Sequence, residues 1–106
     1  NMIFPLSPPR FDLLILSITE KKDSYGYQLS QKIKNVSGVK DSTLYPILKR
    51  LQEQGYLSVY DQPFQGRNRR YYRITESGRQ RYQELMEEWR LHKEAIDQIL
   101  KGEHEE

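Results

Sequence analysis

Apolar residues recur at helical spacing near the start of the chain and predict a helix over residues 9–21. Ser7 fits an N-cap, and the prolines after it fit a first turn, where a missing N–H costs little. The apolar positions cover much more than one stripe: Phe11, Leu13, Leu14, Ile15, Leu16 and Ile18. A helix that is apolar nearly all round is buried on two sides. We expect one side to pack in this chain's core and the other against a partner, with a central core helix as the alternative.

A second, shorter helix follows over residues 25–36, with Asp23-Ser24 as its expected cap. Its inward positions are Leu29, Ile33 and Val36. Ser37-Gly38 predicts the turn that ends it. The helix is amphipathic, so we expect its polar side to face solvent.

A third helix is expected over residues 42–54, with Gly55 as its stop signal. Its inward positions are Leu44, Ile47, Leu48 and Leu51. Because proline is tolerated in the first turn but not in a helix interior, Pro46 places the start near Ser42 or Thr43.

Alternation of apolar and polar residues then predicts a β-hairpin. Its strands cover residues 56–60 and 69–74, and the connection over residues 61–68 contains Pro63 and Gly66. The inward positions are Leu57, Val59, Tyr72 and Ile74, and the outward positions are Arg69, Tyr71 and Arg73. Because a lone hairpin is marginally stable in water, we expect this one to lie against the helices.

The last helix is predicted over residues 76–101, with Thr75 as its cap. Six residues recur at alternating spacings of three and four and form a heptad seam: Tyr82, Leu85, Trp89, His92, Ile96 and Ile99. A helix of this length spans roughly 39 Å, which is too long for so small a domain to cover. We therefore expect self-association through this helix, with docking along its own domain as the alternative, and a frayed acidic end over residues 102–106.

Composition places the chain among small single-domain proteins that complete a thin core by pairing. With 106 residues it has room for one domain, and its apolar share is below the roughly 45–50% of a typical soluble domain. The absence of a long apolar run, of a leader pattern and of cysteine argues against a membrane span, secretion, disulfides and thiolate chemistry. We expect a soluble cytoplasmic protein.

Charge is divided unevenly although the net charge is only +2. Residues 65–81 carry six arginines against Glu76 alone, whereas residues 82–106 carry three basic and eight acidic groups. This asymmetry indicates a basic surface that meets a polyanion and an acidic end that does not. Arginine, rather than lysine, favours bidentate contacts to phosphates or base edges.

No pattern indicates catalysis, a metal site or a cofactor. His92 lies on the seam and His104 in the tail, and neither has a carboxylate or nucleophile placed for acid–base work. The six glycines form none of the phosphate-cradling fingerprints, and metal-ligand spacing is absent. We expect the protein to be neither an enzyme nor dependent on a cofactor.

Two short helices joined by a turn and followed by a basic hairpin are typical of DNA-reading proteins. On the third helix Ser42, Tyr45 and Lys49 form a polar row opposite the leucines, and such a row fits the major groove. An ordinary solvated face is the alternative for this row. The arginines around Gly66 can reach phosphates or a minor groove, with a charged edge strand that resists aggregation as the alternative.

Three segments resemble the PadR family of bacterial transcriptional regulators. They are Gly26-Tyr27-Gln28-Leu29, the Ser42-Thr43-Leu44-Tyr45-Pro46 segment that continues to Leu51, and the segment from Gly66-Arg67 to Thr75-Glu76-Ser77-Gly78. The resemblance covers about residues 6–100 and is closer to the short subfamily with one last helix. It implies a mainly α fold with a small β-hairpin. Residues 1–75 would form a winged helix-turn-helix domain, and residues 76–106 a dimerisation helix with an acidic tail.

Carried over residue by residue, the resemblance implies these contacts to double-stranded DNA: Tyr27, Ser42, Thr43, Tyr45, Lys49, Arg50, Arg67, Asn68 and Arg69. Tyr27 and Arg50 would hold the DNA backbone, and the last three would lie on the wing. Two positions depart from the family's pattern. Lys40 stands where a small capping residue is common, so we expect Asp41 to cap the third helix, and Ser42 replaces a common glycine.

The resemblance also implies a homodimer built from the first and last helices. The expected interface positions are Phe11, Leu14, Ile15, Ile18, Tyr82, Leu85, Trp89, Ile96 and Ile99. Trp89 either anchors this interface or lines a cavity at the dimer centre that takes a flat hydrophobic ligand. The candidate residues for that cavity are Leu85, Met86, Trp89 and His92.

Taken together, the sequence predicts a dimeric repressor on a pseudo-palindromic operator, relieved by a small hydrophobic or aromatic effector. A dimeric protein-interaction module that no longer reads DNA is the alternative. Strong salt dependence of binding distinguishes the two, because contacts to phosphates release counterions.

Overall fold

The computed structural model describes residues 7–102 of the 106-residue chain and contains four helices and three strands. In chain order these are α1 (Pro8–Lys21), β1 (Ser24–Tyr25), α2 (Gly26–Ser37), α3 (Asp41–Glu53), β2 (Leu57–Phe64), β3 (Arg67–Ile74) and α4 (Glu76–Lys101). The predicted class, a mainly α winged helix-turn-helix with a long last helix, is confirmed. The frayed acidic end was predicted over residues 102–106, which lie outside the described residues except for Gly102.

The strands form one antiparallel sheet in the order β1-β3-β2, not the lone hairpin that the alternation predicts. β1 pairs Ser24 with Tyr72, and two residues are too few to produce a periodic signal. The hairpin strands run on to a connection of only Gln65 and Gly66, which both have positive φ, 52° and 77°. Such two-residue turns match the twist of paired strands, so the polar segment expected to be a loop is mostly strand. We call β2 and β3 with this turn the wing.

The core lies between α1, the helix pair α2–α3 and the inner face of the sheet. Its fully buried side chains are Ile15, Leu16, Leu29, Ile33, Leu44, Leu48, Leu51 and Leu57. Tyr72 and Ile74 close it from the wing, and Leu85 closes it from α4. The expectation for Val36 is wrong: it is 51% exposed, and Val39, beyond the turn at Gly38, packs against the core instead.

Helix ends follow the predictions only in part. Thr75 caps α4 as expected, since its Oγ1 accepts a hydrogen bond from Gly78 N at 2.9 Å. Ser7 occupies the N-cap of α1 without a side-chain bond. Asp23 and Ser24 do not cap α2, because Ser24 pairs in the sheet and Gln28 Oε1 accepts the N–H of Tyr25 at the helix start.

The start of α3 also differs from the prediction. The helix begins at Asp41, with Lys40 at the N-cap and no side-chain cap, so Asp41 does not cap it. Pro46 therefore lies inside the helix and leaves the carbonyl of Ser42 without its usual donor. Residue 42 is exposed, so water can satisfy that carbonyl.

Candidate nucleic-acid interface

The outer face of α3 carries the polar row that the sequence indicated. Ser42, Tyr45 and Lys49 are exposed, while the leucines of the opposite face are buried. Thr43 is also exposed. A helix that buries one side in a core in this way presents its other side for docking.

A groove of about 800 Å³ lies between the start of α2, α3 and the wing. It is lined by Tyr25, Gly26, Tyr27, Tyr45, Phe64, Gln65, Arg67, Asn68, Arg69, Arg70 and Tyr72. The groove brings together five of the nine predicted DNA-contacting residues, namely Tyr27, Tyr45, Arg67, Asn68 and Arg69. The row at residues 42, 43 and 49 lies outside the groove lining, on the exposed part of α3.

Tyr45 is held in place by a close approach to Gly26. A Cβ atom at residue 26 would lie only 2.9 Å from Tyr45 Cε1 and 3.0 Å from its hydroxyl oxygen. Partial burial raises the pKa of the Tyr45 phenol, and the negative charge of Asp41 acts in the same direction. The phenol therefore remains a protonated hydrogen-bond donor at neutral pH.

The N-terminal end of α3 is fastened to α2 by polar contacts. Ser30, which is buried on α2, donates its hydroxyl to Asp41 Oδ1 at 2.7 Å. Lys34 Nζ lies 3.2 Å from the same oxygen. The bond from Ser30 and the charge and bond from Lys34 lower the pKa of Asp41. These contacts hold the N-terminal end of α3 against α2.

Arg50 is engaged within the chain. Its Nη2 lies 2.6 Å from Oδ1 of Asp12 on α1, and its Nη1 donates to Gln54 at 2.8 Å. The Asp12 side chain is only 11% exposed, so the pair is shielded from solvent on the α1 side. Arg50 therefore joins α1 to α3, and its contact with the DNA backbone stays a prediction.

The arginines of the wing lie on alternate faces of β3. Arg69 lies on the outer face, where its guanidinium carbon is 3.6 Å from the Phe64 ring centroid and 4.0 Å from that of Tyr25. Arg73 lies on the same face, with its Nε 3.1 Å from Oδ2 of Asp23. Arg70, by alternation, shares the face of the buried Tyr72. Arg70 was not among the predicted DNA contacts, although the alternation of the strand already places it on the opposite face from Arg69.

The predicted seam on α4 divides into a packed part and an open part. Leu85 is buried and Tyr82 is half-buried against α1 and the core. Trp89, Ile96 and Ile99 are 38%, 42% and 64% exposed.

On α1 the predicted interface positions divide in the same way. Leu14 and Ile18 keep some exposure. Ile15 is fully buried and Phe11 nearly so, because α2, α3 and the sheet surround that side of α1. These two offer almost no surface to a partner, which corrects the prediction.

A smaller cleft of about 240 Å³ lies between α1 and α4. Three of the four predicted ligand-binding residues line it: Leu85, Trp89 and His92. Met86 lies outside this cleft, along a separate depression with Trp89 and Lys93. The guanidinium of Arg10 is 4.8 Å from the Trp89 ring centroid, so a cation already covers part of that ring.

Residues 7–102 contain neither a helix suited to a membrane nor a cluster of side chains suited to a metal ion. Within that range no helix is long and apolar enough to cross a membrane. Over the same residues, no group of three or more histidine, aspartate or glutamate side chains could hold a metal ion.

Comparisons with known proteins agree with this architecture. Residues 15–84 match the transcriptional regulator PadR-like family. A protein from Lysinibacillus sphaericus is 38% identical over 96 residues, which are 86% of this chain and 88% of that protein. A crystal structure from Streptococcus mutans superposes with a TM-score of 0.94 at 48% identity and covers 99% of both chains. A PadR family transcription regulator from Clostridium difficile superposes with a TM-score of 0.77 at 34% identity, over 85% of this chain and 97% of that one.

The match to the family covers most of the helix-turn-helix, the whole wing and the first turns of α4. It agrees with the resemblance carried by the three sequence segments. Proteins of this family are DNA-binding transcriptional regulators and not enzymes, as the sequence analysis expected. The chain belongs to the PadR-like family of transcriptional regulators.

Proposed function

We propose that the protein acts as a homodimeric repressor that binds a pseudo-palindromic operator in cytoplasmic DNA. Residues 1–75 would read the DNA and residues 76–106 would hold the dimer together. The observation that carries the proposal is the groove in which Tyr45 of α3 faces the basic wing. A recognition helix beside a cationic hairpin can contact base edges and phosphates at the same time.

In this proposal α3 enters the major groove and the wing follows the adjacent backbone. Ser42, Thr43, Tyr45 and Lys49 are the helix residues exposed for base edges and nearby phosphates. Arg67 and Asn68 lie beside the turn of the wing, where they are exposed. Tyr27 is 63% exposed at the start of α2 and is placed to contact the backbone.

The dimer would form through the open part of the α4 seam together with Leu14 and Ile18 of α1. Support comes from the exposed apolar side chains of α4, which a monomer would leave in water. Pairing along α4 would place two recognition helices about one turn of DNA apart, roughly 34–36 Å. That spacing requires an operator with two related half-sites.

A small hydrophobic or aromatic effector would relieve repression from the cleft between α1 and α4. The cleft offers Trp89 and Leu85 as apolar walls and His92 as a polar group. A ligand that displaces Arg10 from the Trp89 ring would alter the packing of α1 on α4. Such a change would shift the spacing of the two recognition helices and weaken the fit to the operator.

A titration against the DNA upstream of the protein's own gene tests this proposal. Labelled promoter DNA is titrated with protein in the presence of unlabelled random DNA of equal length. Binding that survives the competitor supports a sequence-specific regulator, and footprinting then gives the half-site spacing. Equal, weak binding to both DNAs contradicts the proposal and favours a dimeric protein-interaction module instead.

A further inference from the structure

The wing places its cations on two different faces. The register pairs Tyr71 with Tyr60 and Tyr25, and pairs Tyr72 with Val59 and Ser24. Side chains alternate along a strand, so Arg69 shares the face of Tyr71, and Arg70 shares the face of Tyr72. Tyr72 is buried against the domain, so the face of Arg70 is the one turned toward α3.

Arg69 is enclosed by aromatic rings. Its guanidinium lies between Phe64 across the hairpin and Tyr25 at the end of β1, at 3.6 and 4.0 Å from the ring centroids. Arg69 is also less exposed than its neighbours on β3 toward the tip. The planar guanidinium of Arg69, held between these two rings, joins the wing to the start of α2. This contact depends on the shape of the guanidinium as well as on its charge.

Arg70 is placed differently. Both arginines line the groove, but Arg70 shares the face of the buried Tyr72, and its side chain is 60% exposed. Its nearest carboxylate, on Asp61, is 3.8 Å from its Nε. An exposed pair at that distance is weak, so Arg70 keeps its charge and donors available to an anion in the groove.

We propose that Arg70 binds one phosphate of the DNA backbone in the groove between α3 and the wing, and that Arg69 is a positioning residue that fixes the wing beside α3. The inference rests on the proposed function, because it needs DNA to lie along α3. Tyr72 would form the floor of the phosphate site and Tyr45 its opposite wall. The ligand class is a phosphodiester, which an arginine fork matches well.

Salt titrations on random-sequence DNA test the role of Arg70. Fluorescence anisotropy at several salt concentrations gives the slope of log K against log[salt] for the wild type, for Arg70→Gln and for Arg70→Lys. We expect Arg70→Gln to reduce the slope by about 0.9 unit, the value of one phosphate contact, and Arg70→Lys to restore it. The matched control is Arg90→Gln on α4, which removes the same charge outside the groove and should leave the slope unchanged.

Arg69 is tested by its own pair of variants. Arg69→Gln and Arg69→Lys should weaken DNA binding alike, because lysine keeps the charge but cannot fill the space between two rings. Thermal melting of each variant shows that it is folded. Recovery of full affinity by Arg69→Lys, or an Arg70→Gln slope equal to that of Arg90→Gln, overturns the assignment.

The random-sequence measurement separates this inference from the proposed function. If the wild type shows no preference for its promoter and Arg70→Gln still lowers the slope, the repressor proposal fails and the phosphate site stands. If the promoter is preferred and Arg70→Gln leaves the slope unchanged, only the phosphate site fails. Absence of any DNA binding by the wild type overturns both.

Discussion

Asp12 on α1 and Arg50 on α3 form an ion pair of 2.6 Å that joins α1, which packs on α4, to α3, which lines the groove. The carboxylate is nearly buried, while the guanidinium remains 40% exposed. The pair therefore fastens α1 to the C-terminal part of α3. This pair is a physical connection between the side of the domain that packs on α4 and the side that carries the groove.

Removal of one partner of this pair should destabilise the fold. We expect Arg50→Ala to lower the free energy of unfolding by about 1–3 kcal/mol, less than for a fully buried pair because the guanidinium is partly exposed. Urea denaturation measures the change. Arg90→Ala, whose pairs with Glu87 and Glu94 are exposed, should change stability by no more than about 0.5 kcal/mol. Equal losses in the two variants would contradict the role given to Asp12.

The contact between Gly26 and Tyr45 predicts a loss of DNA binding without a loss of stability. Gly26→Ala places a methyl group against the Tyr45 ring and should move that ring, so we expect about tenfold weaker binding to the promoter. Alanine is a better helix former than glycine, so melting should not fall. In a Tyr45→Ala background the same change should have no effect on binding, and an effect of the same size there would refute the explanation.

The exposed end of the α4 seam predicts a change of oligomeric state. Ile99→Glu introduces a charge at a 64% exposed seam position and should convert the dimer to a monomer. Sedimentation velocity or light scattering measures the mass. Leu91→Glu is the matched control, because Leu91 is 53% exposed but lies away from the seam, and that variant should stay dimeric. A monomeric wild type, or a dimer unaffected by Ile99→Glu, would count against pairing through α4.

The turn of the wing predicts a stabilising substitution. Gln65 has a φ of 52°, which asparagine adopts at lower cost than glutamine. Gln65→Asn gives the preferred Asn-Gly turn and should raise the free energy of unfolding by about 0.5–1 kcal/mol. Gln65→Val should lower it, since β-branched residues avoid this conformation. The same stability for both variants would mean that the turn adopts another conformation.

The lowered pKa of Asp41 predicts a pH dependence of stability. A carboxyl group whose pKa is lower in the folded state than its ordinary 3.8 contributes stability above that value, and the contribution is lost as the pH falls through the folded pKa. The difference in unfolding free energy between the wild type and Asp41→Asn should therefore be constant near neutral pH and shrink below about pH 4. In a Ser30→Ala background, which lacks the hydrogen bond that lowers the Asp41 pKa most, the difference in unfolding free energy should shrink less at low pH. A difference that stays constant down to pH 2 would contradict the link.

How much the sequence could predict depended on the length of each element. α4 was predicted with its observed bounds, because Thr75 marks its start and the seam continues over many turns. β1 was missed because two residues carry no period. The start of α3 at Asp41 lies one residue before the predicted Ser42, and the contacts of Asp41 with Ser30 and Lys34 on another helix could not be read from the sequence. Ile15 was assigned to the dimer because an all-round apolar helix gives no sign of which side the core takes.

The groove could be predicted only in its parts. The alternation of side chains along β3 correctly placed Arg69 outward, and the same alternation places Arg70 on the opposite face. The ring contacts of Arg69 with Phe64 and Tyr25 required the hairpin register and the unpredicted β1. The ion pair between Asp12 and Arg50 joins residues that are 38 positions apart in the chain. No local sequence pattern reveals such a contact.

The register of the wing also bears on how such proteins diverge. Tyr72 and Ile74 anchor β3 in the core. A residue nearer the tip lies on the same face as these two if it is an even number of positions away, and on the opposite face if the number is odd. Loss of Tyr71 would place Arg69 on the face of β3 that Tyr72 shares and would turn Arg70 to the opposite face. A single-codon deletion would thus exchange the two arginines between the faces of β3 while leaving the remaining wing residues and their order intact.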